Sequence, residues 1–151
     1  MEEERHEFLN FELDVDGPWP PANRECLPVR RRGLGFEILV PPLFVKGLSV
    51  GDVVEAEISD GVVVSWRHLH RSKRTTVWVA RLSNERAMDA QVALRRLKDM
   101  GCAVVEMNAL GISSLDVPEA VGIGCVDDIL EPLVAAGAVA VAFPSMRHDE
   151  V

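Results

Sequence analysis

The sequence predicts an α+β protein in which a small β-barrel-like layer at the N-terminal side is followed by a ferredoxin-like βαββαβ unit. Three observations lead there. Between residues 7 and 74, short stretches of strand-forming residues alternate with Pro- and Gly-rich turns, the rhythm of a small, partly open barrel. After Leu82 the apolar period lengthens, giving helix, strand, strand, helix, strand. Between them lies Thr75 to Leu82, crowded with β-branched and aromatic residues and free of Gly and Pro. It reads as the last strand of one layer and the first of the next. The expected division is therefore a short-stranded β subdomain over 7–74 and a ferredoxin-like subdomain over 75–144, sharing the strand near 75–82.

Taken in order, Leu9, Phe11, Leu13 and Val15 alternate with polar residues, so 7–15 should be a half-buried strand. The prolines at 18, 20 and 21 end it, and Trp19 among them suits the edge of a core. A short strand over Arg24 to Pro28, a basic turn at Arg30-Arg31-Arg32-Gly33 and a strand over Leu34 to Val40 follow. Pro41-Pro42 stops that strand. Val53 to Ile58 and Val62 to Arg71 read as a hairpin around Asp60-Gly61. In the second half, Ser83 or Asn84 should cap a helix buried along Ala87, Ala90, Leu94 and Leu97 and ended by Gly101. Strands are expected over Cys102 to Met107, Ile112 to Val117 and Ala138 to Phe143. A second helix should begin at Asp127 or Asp128, with Pro132 in its first turn or kinking it, and stop at Gly137. Counting the strand at 75–82, this is the split βαβ order, with both helices on one face of a four-stranded antiparallel sheet.

Composition narrows the function classes. A chain of 151 residues buries roughly 70% of its unfolded surface, and 48% apolar with 26% charged residues is globular composition. No apolar run reaches the roughly 18 residues of a membrane span. The acidic Met1 to Glu7 lacks the pattern of a secretory signal, which points to the cytoplasm. Cys26, Cys102 and Cys125, without C-x-x-C spacing, read as reduced thiols in or near the core. A net charge of −8 makes nucleic acid an improbable partner. The charge is unevenly spread: residues 1–16 hold seven acids and one Arg, residues 67–86 six bases and one acid.

Several stretches are similar to a known family. Trp19-Pro20-Pro21, the block Leu43-Phe44-Val45-Lys46-Gly47-Leu48-Ser49-Val50-Gly51-Asp52-Val53-Val54-Glu55-Ala56, and Met100-Gly101-Cys102-Ala103-Val104 with Glu106 resemble a bacterial family of small uncharacterised proteins, domain of unknown function 4265. The resemblance runs over roughly residues 7 to 143. It departs in Arg71-Ser72-Lys73-Arg74-Thr75-Thr76, where Lys73 stands in place of the family's Gly and Arg74 in place of its His or Asn. If that Gly supplies a positive φ, Lys73 is strained or the turn differs. The resemblance implies a shared fold and carries no activity.

Candidate chemistry is sparse. Trp66, His68 and His70 share one strand face, and His-x-His could hold zinc if Glu55 or Glu57 and a fourth ligand converged; the plainer reading is a packed or exposed sheet face. His6 and His148 fall in termini expected to fray. Cys102 at the start of a core strand reads as inert packing, and Asp127 and Asp128 as helix-start residues. Gly122-Ile123-Gly124 is too short for a dinucleotide loop, and Ser113-Ser114 lacks a nucleophile's setting. The expected chain has no cofactor, no metal and no catalytic constellation. What remains is a basic segment, Arg67, His68, His70, Arg71, Ser72, Lys73, Arg74 and Thr75, as a surface for a protein partner, against the alternative of a solvated or internally paired edge. The leading expectation is a cytoplasmic, non-catalytic protein acting on a macromolecule, in the manner of an immunity protein, antitoxin-like inhibitor or accessory subunit. The alternatives are a small-molecule sensor or binding module using the open face of the ferredoxin-like sheet and an enzyme with an unrecognised site. Oligomeric state is not legible.

Overall fold

Residues 7–148, which the computed structural model describes, form two β-sheets of nine strands in all and two α-helices. Strands β1 (Glu7–Glu12), β2 (Arg24–Arg32), β3 (Gly35–Ile38), β4 (Val53–Ser59) and β5 (Val62–His70) form a closed barrel. Successive strands pair antiparallel, and a short parallel pairing of Asn10 with Val62 and Phe11 with Val63 closes the ring. Closure, rather than a partly open barrel, removes the edges that β1 and β5 would otherwise expose. Phe11, Leu27, Val29, Ile38, Leu48 and Val54 fill the interior.

The second sheet holds β6 (Thr75–Arg81), β7 (Ala103–Met107), β8 (Ile112–Val117) and β9 (Val139–Ser145) in the order β7-β8-β6-β9, every neighbour antiparallel. Helices α1 (Ala87–Asp99) and α2 (Ile123–Ala135) bury Leu94, Leu97, Val126, Ile129 and Leu130 against Val77, Val79, Leu115 and Val117, so both cover the same face. On the other face, Ile112 enters the barrel core, with Val105 and Met107 packed beside it. The barrel thus covers the β7–β8 half of that face. The β6–β9 half, floored by Trp78, Ala80, Ala140 and Ala142, lies along a groove. No helix among the described residues is long and apolar enough to cross a membrane.

Several local expectations are corrected. Arg30, Arg31 and Arg32 do not form a turn; they complete the nine-residue β2, and Glu37 on β3 faces Arg30 and Arg32 across the ladder. Cross-strand charge pairing gives a basic run a reason to stay extended. Helix α1 lacks a side-chain cap, since the Ser83 hydroxyl accepts from the Glu85 N–H instead. Helix α2 begins at Ile123, so Asp127 and Asp128 lie within it and Pro132 falls near its C-terminal end. Strand β6 belongs to the second sheet alone and meets the barrel through side chains. Of the thiols, only Cys102 is buried; Cys26 and Cys125 are exposed. Val15 is half exposed, beyond the end of β1. His6 lies outside the described residues.

Leu97 has no exposed surface and sits where α1 meets both α2 and the sheet. Leu97→Ala should cost about 2–5 kcal/mol in chemical denaturation with the transition still cooperative, whereas exposed Met88→Ala should fall within about 0.5 kcal/mol of the parent.

Candidate functional site

The barrel is anchored to the second sheet by a buried carboxylate. Residues 48–52 turn tightly, and Gly51 adopts φ +86°, with the Ser72 Cβ 3.2 Å from where a side chain would begin. Only glycine meets both demands comfortably. The turn drives Asp52 inward, where its side chain has no exposed surface. Its Oδ1 accepts from the Ser72 N–H and from Arg147 Nη1, both at 2.8 Å. Its Oδ2 accepts from Arg147 Nη2 (2.9 Å) and the Ser49 N–H (3.0 Å), and lies 2.9 Å from His68 Nε2. Arg147 also donates to the carbonyls of Ser72 and Gly47. Burial pushes the Asp52 carboxyl up, but the bonds from Arg147, Ser72, Ser49 and His68 outweigh it and hold the group below its ordinary value.

Hydroxyls extend the anchor. Ser49 Oγ lies 2.7 Å from Ser145 Oγ and 3.2 Å from Thr76 Oγ1, and Thr76 donates to the Leu48 carbonyl. His148, expected to fray, is held instead: its Nε2 faces the carbonyls of Pro118 and Val121, and its Nδ1 lies 2.6 Å from Thr75 Oγ1. Two carbonyls at Nε2 put the proton there, so in the neutral ring Nδ1 accepts from Thr75.

Beside this anchor lies a cleft of about 400 Å³. All three tryptophans of the chain line it: Trp19 from the proline-rich loop, Trp66 from β5 and Trp78 from β6. The rings are positioned by specific contacts. Trp78 Nε1 donates to the Pro42 carbonyl (2.7 Å), which also accepts from Ser114 Oγ. Trp19 packs edge-on against Phe44 with centroids 5.7 Å apart, and Trp66 edge-on against His68 at 5.1 Å. The loop bearing Phe44 is held by Glu25, whose carboxylate accepts the N–H groups of Leu43, Phe44 and Val45. Burial nevertheless raises the pKa of Glu25. Glu12, Asp14 and Asp16 form the acidic wall, and Lys46 is the one cation of the lining. Among the described residues none of these four side chains has an ion-pair or hydrogen-bond partner. An apolar groove of about 330 Å³ continues from the cleft, sharing Trp19, Lys46 and Trp78 and running past Ala140 to Ala142. Both volumes fall in the range of roughly 300–1,000 Å³ usual for ligand pockets. A hollow of about 460 Å³ over β4 and β5 is less suited, because its charged groups are already matched, Arg67 with Glu55 and Ser65 with Glu57.

The basic segment is distributed differently from a single patch. Arg67 pairs with Glu55, and Arg74 with Asp116 through Nε at 2.9 Å. His68 and Ser72 face Asp52, and Thr75 is buried against His148. His70, Arg71 and Lys73 are exposed, with Lys73 Nζ 3.8 Å from Glu119. Lys73 does not sit at positive φ, so this turn makes no demand for the Gly of the resembling family. Glu55 and Glu57 are engaged elsewhere than at His68 and His70, and no three His, Cys, Asp or Glu side chains cluster as metal ligands among the described residues. The Cys102 thiol is pushed up to about 11, chiefly by burial, and stays protonated at neutral pH. Neither Arg147 nor the convergence of the tryptophans is legible from spacing, although three tryptophans in a chain without tyrosine were a signal worth following.

The family model described as domain of unknown function (DUF4265) matches residues 25–141. A solved structure, the novel crystal structure of a hypothetical protein from Neisseria gonorrhoeae, is similar with a TM-score of 0.71 at 18% identity, covering 97% of this chain and 99% of that one. At that identity the likeness speaks for the fold alone. No curated protein matches.

Removing Arg147 leaves Asp52 charged, buried and without its cation. Arg147→Ala should therefore cost about 3–5 kcal/mol. The parent should also show a pH signature. A carboxyl depressed below its ordinary value of 3.8 adds stability that is complete above that pH and is lost as pH falls through the lower folded value. Denaturant midpoints measured between neutral pH and pH 3 should fall more steeply for the parent than for Arg147→Ala.

Proposed function

The chain belongs to the DUF4265 family, a domain of unknown function, and we propose from its geometry that it is a non-catalytic binding protein whose tryptophan cleft takes a cationic group. The carrying observation is that all three tryptophans line one cleft whose three carboxylates have no partner among the described residues. An ammonium or guanidinium ion over an indole face is attracted by the ring quadrupole, more so where the site is partly desolvated. Glu12, Asp14 and Asp16 add Coulomb attraction from one side, against a single Lys46 that is free to turn to solvent. Rings already held by Pro42, Phe44 and His68 lose little freedom on binding.

This reading moves the binding-module alternative ahead of the immunity-like inhibitor or accessory subunit. Most cations of the 67–74 segment are engaged within the chain, and a charge-steered contact there would fall to the exposed His70 and Lys73. We read the two sheets as a barrel-like unit and a ferredoxin-like βαββαβ unit, a view supported by the order β7-β8-β6-β9 and by both helices lying on one face. Three free cysteines suit a cytoplasmic setting.

Titration with N-acetylarginine amide, followed by tryptophan emission, tests the site. Saturable binding near ~1 mM is expected for one cation–aromatic site without further contacts. Asp14→Asn with Asp16→Asn should weaken it about tenfold, and about 0.5 M salt should weaken the parent but barely the double variant. No saturable change up to about 10 mM, or equal binding by parent and variant, would overturn the reading.

A further inference from the structure

Trp19, Lys46 and Trp78 line both the cleft and the apolar groove, so the two spaces form one continuous site with different chemistry at each end. The floor of the groove is set by the ladder. Trp78 stands opposite Ala142 and Ala80 opposite Ala140, with Ile112 of β8 paired to Ala80 on its other side. Alternation turns these residues away from the helices, because Val77 and Val79 of β6 and Val139 and Val141 of β9 pack into the helix-side core. Alanine is depleted in strands, and three of them on one floor leave open the depth that valine or isoleucine would fill. The segment bearing Leu43 and Lys46 walls the groove and is tied at both ends. The Pro42 carbonyl accepts from the Trp78 and Ser114 side chains, and the Gly47 N–H donates to the Pro144 carbonyl of β9 at 3.0 Å. The groove is thus pre-formed, and a guest does not have to order it.

We propose that this continuous site takes a small amphiphilic cation, with an ammonium or guanidinium head among the tryptophans and a short unbranched hydrocarbon tail over Ala142, Ala140 and Ala80. The proposal rests on the cation reading of the cleft and adds the tail to it. Charge divides the two ends: Glu12, Asp14 and Asp16 line the cleft, and none of them lines the groove. Lys46, the one charged residue along the groove, is exposed, so its methylene stem can cover the wall while its ammonium stays in water. A polar body would lose its hydration in the groove for few partners, and an uncharged guest would leave the carboxylates of the cleft unanswered. An anionic amphiphile is repelled at the same place, and a second copy of this chain, with net charge −8, would bring further acids to it. The ladder also sets the length of the tail. From Trp78 to Ala80 is two residues, about 7 Å along the strand. A zigzag chain with bonds of about 1.5 Å covers that span with roughly six carbons.

The test titrates a homologous series of n-alkylguanidinium ions, methyl to octyl, by tryptophan emission. Affinity should rise about twofold to threefold per carbon, short of the roughly fourfold of full burial, and level off beyond about six carbons. n-Hexylguanidinium should thus bind about thirtyfold or more above methylguanidinium, and n-hexanol about tenfold or more below n-hexylguanidinium. Ala140→Gln sets a polar side chain on the exposed floor; it should bind methylguanidinium like the parent and lose most of the gain from the tail. Asp14→Asn with Asp16→Asn should weaken both ions by the same factor. If methylguanidinium binds and the hexyl chain adds nothing, or Ala140→Gln keeps the gain, the tail is not in the groove and the proposal falls while the cleft reading stands. If n-hexanol matches n-hexylguanidinium, or the double Asn variant spares n-hexylguanidinium, the tail binds without a head in the cleft and the proposal is overturned. If no member of the series binds, the cleft reading fails and takes this one with it.

Discussion

A buried ion pair holds this architecture together. Asp52 and Arg147 are both withdrawn from water, at a desolvation cost of several kcal/mol each, and their attraction repays it only because the other lone pairs and N–H groups, Arg147 Nε excepted, also find partners. Those partners come from four places: the turn at Ser49, His68 on β5, the β5–β6 connection at Ser72 and the carbonyl of Gly47. Shape alone would let the barrel slide over the sheet, since apolar packing is non-directional. A bidentate guanidinium–carboxylate fork admits one orientation. The hydroxyls of Ser49, Thr76 and Ser145, joined across the same seam, restrict it further.

The cleft follows from where that seam lies. Held at Asp52 and at Pro42, the barrel covers only the β7–β8 half of the sheet face, and the uncovered half becomes a groove walled by the proline-rich loop. Glu25 reaches from β2 to hold the backbone of Leu43, Phe44 and Val45, on which Trp19 of that wall packs, so one side chain links barrel and cleft. The same geometry accounts for Trp19 at 48% exposed: it caps Phe44 on one side and leaves the other to the cleft.

What could be read in the sequence was what local chemistry decides. Alternation placed Leu9, Phe11 and Leu13 on the buried face of the first strand, Asp60-Gly61 marked the hairpin, and Gly101 and Gly137 ended the helices in positive φ. The misses have long-range causes. Barrel closure depends on β1 meeting β5 across some fifty residues, and no local pattern announces a parallel pair only two residues long. The start of α2 was placed too late because acids are expected in a first turn, whereas here tertiary packing of Val126 recruits the preceding residues. Arg147 and His148 resembled tail residues until the partners of their side chains, far away in sequence, were in view. The basic segment illustrates the same limit: six bases in one stretch suggested a surface, yet the counter-charges Glu55, Asp52 and Asp116 come from three other elements.

The anchoring cation also has a place in time. Arg147 follows Asp52 by 95 residues, and chains are made from the N-terminal side at roughly 5–20 residues per second. For roughly 5–20 s of synthesis the barrel segment exists with its acid but without the guanidinium that neutralises it. Through that interval Asp52 has the Ser49 and Ser72 N–H groups and His68 to draw on, but no guanidinium. The guanidinium that fixes barrel against sheet is therefore supplied only with the residues that follow β9, the last strand of that sheet.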